Sequence, residues 1–261
     1  MVGAVTVISI GVAFAGIQGS KHDLGTGGAS QLGATGGTAE VCVFCHTPHG
    51  SDASASVPLW NKKLPSAASY TRYSSLNTST LDGAETDVGS VSLACLSCHD
   101  GSQAMDSVIN APGSGGYNAA GSNMGAGSKM TGTPIPNLGT DLSNDHPISI
   151  QYAGGGLIVT QADGAYNKTT GSFGDPDFNP VHKKTINSQP QWWVESGTPD
   201  GIRQKTEMML YTRGADASRQ PYVECGSCHD PHNASTASAT QVAFLRTSNA
   251  GSAVCLACHS K

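Results

Sequence analysis

The chain is short of the materials from which ordinary domains are built. Of its 261 residues, 38% are hydrophobic, 6% aromatic and 13% charged. A typical soluble domain is about 45–50% apolar and about 25% charged. That shortage leaves little side-chain material for a conventional core. Basic residues are also scarce, with 14 Lys and Arg against 19 Asp and Glu and a net charge of −5. A surface built to hold nucleic acid is therefore excluded. No apolar run reaches the ~20 residues that a membrane helix needs. The longest opens the chain, where residues 1–19 carry no charge and Ala13-Phe14-Ala15 has the small-residue pattern of a secretory cleavage site. Residues 1–15 are read as a signal peptide, although the usual basic n-region is missing. A retained anchor is the alternative, and no permanent membrane anchor is expected.

Cysteine is absent everywhere except in four pentads. They are Cys42-Val43-Phe44-Cys45-His46, Cys95-Leu96-Ser97-Cys98-His99, Cys225-Gly226-Ser227-Cys228-His229 and Cys255-Leu256-Ala257-Cys258-His259. Cys-x-x-Cys-His is the attachment pattern of c-type haem. Both thiols become thioethers to the porphyrin, and the adjacent imidazole becomes an axial iron ligand. Eight thiols would also suffice for two Cys₄ zinc sites or four disulfides. Neither alternative calls for a histidine after every second cysteine. A thioredoxin-like redox site needs one pentad in a βαβ setting, not four in a chain with 33 glycines. The pentads therefore point to four haem c groups, which would supply the apolar core that the side chains lack.

The histidines extend this reading. Nine are present, and His46, His99, His229 and His259 belong to the pentads. His22, His49, His146, His182 and His232 remain, five candidates for four distal positions. With two imidazoles on every iron, no position is left for a substrate, and electron transfer is favoured over catalysis. His49 and His232 each lie three residues beyond a proximal histidine. Each is therefore expected to serve a different haem from its neighbour, making a two-haem clamp. His182, beside Lys183 and Lys184, is the weakest candidate. Met105, Met124, Met130, Met208 and Met209 are read as packing residues before ligands. Four bis-histidine ferric haems, each contributing about −1, would bring the charge to about −9, suited to positively charged redox partners.

Elsewhere the chain shows little periodicity. Gly16–Glu40 reads as an extended arm and 111–140 as a glycine-rich surface loop. The second pentad is expected on a short helix, Gln151–Thr160 as a short strand, and Ile202–Thr212 as the best conventional helix. The expected fold is one unit over 16–261, mostly irregular coil with a few short α-helices and minimal β-structure, cored by haem. Asn77, Asn167 and Asn233 open glycosylation sequons.

Several stretches carry a resemblance: Ser20-Lys21-His22-Asp23-Leu24, Cys42–His49, Pro58-Leu59-Trp60, Ser92–Asp100, Asn144-Asp145-His146-Pro147, Glu224–His232 and Cys255–His259. At these residues the chain resembles multihaem c-type cytochromes with doubled Cys-x-x-Cys-His motifs. More narrowly, it is similar to the tetrahaem subunits of extracellular cytochrome filaments, the OmcE and OmcS kind. The resemblance implies stacked bis-histidine haems and head-to-tail polymers of the same chain. It also implies that one haem takes an axial histidine from the next subunit, a role that falls here on His49. Its location would be extracellular or at the cell surface, with other redox proteins or extracellular acceptors as partners. A monomeric periplasmic carrier is the alternative, and a multihaem reductase is less favoured.

Overall fold

The computed structural model describes residues 16–28, 37–113, 116–132, 136–157, 160–167, 173–213, 220–233 and 244–260. The proposed signal segment, 1–15, lies outside them, as do Ile158 and Val159 of the expected strand and parts of the Asn167 and Asn233 sequons.

Helices are few and short. Helix α1 spans Ser90–His99 and contains the whole second pentad. The expected short helix there is observed. Strands are more numerous than the composition suggested. Strand β1 (Ser107–Asn110) forms a hairpin with β2 (Tyr117–Asn123), and β2 lies within the stretch expected to be a glycine-rich loop. A second, antiparallel sheet contains β3 (Ile150–Gln151), β4 (Gly164–Tyr166), β5 (Val181–Ile186), β6 (Gln189–Val194), β7 (Met208–Thr212) and β8 (Pro221–Val223). Its spatial order is β3-β8-β7-β6-β5-β4, a meander from β4 to β8 with β3 added at the far edge. Helices α2 (Cys225–Cys228) and α3 (Ala253–Leu256) fall in the last two pentads.

The expectation of minimal β-structure is thus corrected. Strands β5 and β6 are joined by Asn187-Ser188, both at positive φ (50° and 61°), which is the backbone a two-residue hairpin turn requires. The expected helix over Ile202–Thr212 is also corrected. Met208 and Leu210 are buried while Met209 and Tyr211 are half-exposed, a period of two that makes this a strand. Ile202 is left 64% exposed, outside any regular element.

One face of the six-stranded sheet packs a polypeptide core of Val181, Trp192, Val194, Met208, Leu210, Tyr152 and Leu157. Ala257 joins this core, with Cys228 and Cys258 packed against it. The sheet is therefore the platform on which the last two pentads sit. A smaller cluster of Tyr70, Val88, Leu96 and Leu142 holds α1.

Candidate haem-binding site

The pentad chemistry begins within a single helical turn. The amide of His46 donates to the Cys42 carbonyl at 2.9 Å, that of His229 to Cys225 at 3.1 Å, and that of His259 to Cys255 at 3.0 Å. In such a turn residues i, i+3 and i+4 share one side, so two thiols and an imidazole project together. A backbone brace follows three of the turns. Asn61 N donates to Cys45 O at 2.9 Å and Thr47 N to Leu59 O at 2.9 Å. Arg246 N to Cys228 O (2.8 Å) with Asp230 N to Phe244 O (2.8 Å) repeats it, as does Asn179 N to Cys258 O (2.8 Å) with Ser260 N to Asp177 O (2.9 Å). His99 receives a single such bond, from Leu138 N at 2.8 Å. These braces were not anticipated. Their one sequence signal was an aromatic in each segment: Trp60, Phe178 and Phe244.

All eight cysteines are free thiols, and they do not converge into four-ligand zinc sites. Among the described residues, the group of ligand atoms close enough to share an ion is Glu195, Asp200 and Glu207. The pentads instead lie against one another in succession. Burial pushes the Cys45 thiol up to about 12, and Cys98 of the second pentad adds to the shift. Cys95 and Cys225 share a hydrogen bond that raises the first thiol's pKa and lowers the second's. Burial pushes Cys228 up to about 11, with the third pentad's Cys225 and the fourth pentad's Cys255 contributing. First, second, third and fourth pentads are neighbours in that order.

Three imidazole pairs form across the fold. His22 and His99 have ring centres 6.1 Å apart, His46 and His232 6.2 Å, and His146 and His259 6.4 Å. An imidazole nitrogen binds a metal at about 2.0 Å and lies about 1.1 Å from its own ring centre, so two rings facing one iron stand about 6.2 Å apart. The observed spacings fit a metal between each pair. The ring nitrogens facing away are mostly tied down. Nδ1 of His46 donates to Pro58 O at 2.7 Å, that of His99 to Pro136 O at 2.8 Å, and that of His146 to Pro147 O at 2.9 Å. The His22 ring bonds the Pro231 carbonyl. Carbonyls only accept, so each bond leaves Nε2 as the free lone pair, the arrangement typical of metal-ligating histidine. Burial, followed by repulsion from His99, lowers His22 to about 4. Burial likewise lowers His229 and His259. Neutral imidazole is the form that binds metal.

His229 stands apart. Among the described residues, it faces no second imidazole. His49 is exposed and, among the described residues, pairs with no ring. Its backbone is nevertheless fixed, with its carbonyl accepting from Asn110 Nδ2 at 2.6 Å and Thr47 Oγ1 at 2.9 Å. His182 is occupied elsewhere, stacked on Trp193 at 5.5 Å with Nε2 3.4 Å from Glu195. Met105, Met130 and Met208 are buried in side-chain packing.

Residues 220–261 match the family model described as a doubled CXXCH motif. The stretch is a haem c attachment motif. It supports a multihaem c-type cytochrome that binds haem covalently and transfers electrons. No curated protein matches the chain. The matched segment contains the third and fourth pentads; the first shares their braced turn, and the second ends helix α1.

Proposed function

We propose that this protein carries four c-type haems, each with two axial imidazoles, and serves as the subunit of an extracellular cytochrome filament. The observation that carries this reading is the set of three imidazole pairs at 6.1, 6.2 and 6.4 Å. On this reading Cys42 and Cys45 hold a haem between His46 and His232. Cys95 and Cys98 hold one between His99 and His22, and Cys255 and Cys258 one between His259 and His146. Bound haem supplies one-electron redox chemistry. The protein's own groups fix the imidazoles, lower the pKa of His22, His229 and His259 by burial, and set successive attachments beside one another.

Cys225 and Cys228 hold the remaining haem, with His229 on one side. His49 is the unpaired, exposed histidine on a braced backbone, and a second copy's His49 is the proposed ligand opposite His229. Head-to-tail repetition of that bond builds an open polymer. The secretory reading of residues 1–15 places it outside the cytoplasmic membrane. No helix among the described residues is long and apolar enough to cross one.

That no second imidazole faces His229 among the described residues also favours a second reading, a reductase with one open haem. Negative-stain microscopy and electron paramagnetic resonance of the purified protein separate the two. Filaments with wholly low-spin iron are expected, and His49→Ala should abolish the filaments while mass spectrometry still finds four attached haems. Unchanged filaments in that variant overturn the role of His49. A wild-type monomer with high-spin iron moves the assignment to the reductase.

A further inference from the structure

Lys62 is 1% exposed in a chain with few charges. Its Nζ donates to the carbonyls of Ala104 and Met105, each at 3.1 Å, and of Ser107 at 2.6 Å. Three carbonyls are three obligate acceptors, and only an ammonium has three N–H groups to give them. The nitrogen is therefore held as a cation. All its acceptors are neutral, and it makes no ion pair with another described residue. Asp106, on the same loop, spends Oδ2 on the amides of Gly125 and Gly127, both at 2.9 Å.

The cation's position follows from the brace on the first pentad. Trp60 pairs with His46 across an antiparallel bridge. Asn61 N bonds Cys45 O at 2.9 Å, and Asn61 Nδ2 bonds Val43 O at 2.7 Å. Lys62 is the next residue along. The ammonium thus sits one residue beyond the brace on the Cys45 carbonyl, and Asn61 O itself accepts from Ile109 N at 2.9 Å. A fixed positive charge in a poorly screened interior favours the less positive state of a nearby redox centre. Charge and hydrogen bonding around a haem are levers on its potential.

We propose that Lys62 is a built-in electrostatic tuner that raises the reduction potential of the haem held by Cys42 and Cys45. This rests on the four-haem reading above, and it assigns Lys62 a role in setting the potential profile along the line of haems. Lys62 is a positioning residue that touches no iron ligand directly.

The test is a spectroelectrochemical titration of the haem-loaded protein. Individual haems are assigned by the paramagnetically shifted resonances of their methyl groups. Lys62→Gln keeps two N–H donors and loses the charge. The midpoint potential of the haem at Cys42 and Cys45 should fall while the other three hold, and Lys62→Arg should restore it. A purely structural role predicts no selective shift, or equal disturbance in Lys62→Arg. Four unmoved midpoints in Lys62→Gln overturn the proposal. The unmutated protein gives a second measurement, independent of any variant's folding. The Lys62 ammonium should be visible by nitrogen-detected NMR, slow to exchange, and its shift should follow oxidation of that same haem. A shift that follows a different haem, or a neutral amine, also overturns it. Absence of haem from Cys42 and Cys45 would instead defeat the four-haem reading.

Discussion

Removing one distal imidazole should change the spin state of one haem and no other. Take His146→Ala. The His146 ring stands 6.4 Å from His259, and its Nδ1 bonds the carbonyl of the next residue, Pro147, at 2.9 Å. That bond is local and holds no distant element in place, so the alanine should remove a ligand without loosening the fold. With four haems present, one iron in four loses its sixth ligand. A quarter of the low-spin signal should therefore pass to high spin, as measured by quantitative electron paramagnetic resonance of the oxidised protein. His22→Ala and His232→Ala should each do the same, and any two together should convert half. The ring planes add a finer readout. His46 and His232 lie at 15° to one another, against 64° for His22 with His99 and 61° for His146 with His259. Near-parallel imidazoles give a rhombic low-spin spectrum, and strongly crossed ones a single large g value. The rhombic contribution of the His46–His232 haem should thus be lost in His232→Ala and kept in His22→Ala and His146→Ala. His182→Ala is the control, because that ring is held by Trp193 and Glu195. High-spin iron in His182→Ala, or none in His146→Ala, would refute the pairing.

Two other predictions concern the scaffold. Glu224 is 1% exposed and accepts from Ser92 Oγ, from Ser149 Oγ at 3.1 Å and from Arg213 Nη1 at 2.7 Å. Glu224→Ala removes the acceptor of both hydroxyls and the carboxylate facing Arg213, which keeps only Ser149 Oγ and the Asp87 carbonyl, beneath the contact between the second and third pentads. Breaking a buried pair costs about 3–5 kcal/mol, and about 3 is expected because Arg213 keeps some contact with water. Guanidinium unfolding of the haem-loaded protein checks this, and a loss below about 1 kcal/mol would contradict it. Asp163 accepts from the Thr185 amide, Lys183 Nζ and Thr185 Oγ1, which hold its pKa at about 2, below the ordinary 3.8. Its contribution is present above the ordinary value and lost as pH falls through about 2. A side-chain carboxyl titration by NMR should find a midpoint near 2, and one near 4 would mean that the clamp joining β4 to β5 does not form in solution.

The irregular half of the fold was easier to read than the sheet. Strand β5 is Val-His-Lys-Lys-Thr-Ile and β6 is Gln-Pro-Gln-Trp-Trp-Val, and neither shows a clean alternation. Their inward positions include Lys183, which is buried by its bond to Asp163. Ile202, Met209 and Leu210 fitted helical spacing, but three apolar residues cannot distinguish a period of 3.6 from a period of 2. Pairing with β6 decides the matter, with Trp192 set opposite Leu210 and Val194 opposite Met208. The hairpin of β1 and β2 was hidden by glycine-rich composition, and β2 itself is mostly exposed.

What the sequence determined by itself is the attachment chemistry. Two thiols and an imidazole at i, i+3 and i+4 need nothing beyond one helical turn, so the motif is complete wherever it occurs. The expectation that His229 and His232 serve different sites rests on the same local reasoning, and the structure sets His232 against His46. What tertiary structure alone decided is which imidazoles face one another. His22 meets His99, His232 meets His46 and His146 meets His259 because the braces and the sheet bring distant segments together. No spacing along the chain encodes that convergence. The structure also left His49 exposed and His229 without a partner ring among the described residues, and it placed the charge of Lys62 beside the first pentad. Those placements depend on burial and on long-range hydrogen bonds, which exist only once the chain has folded.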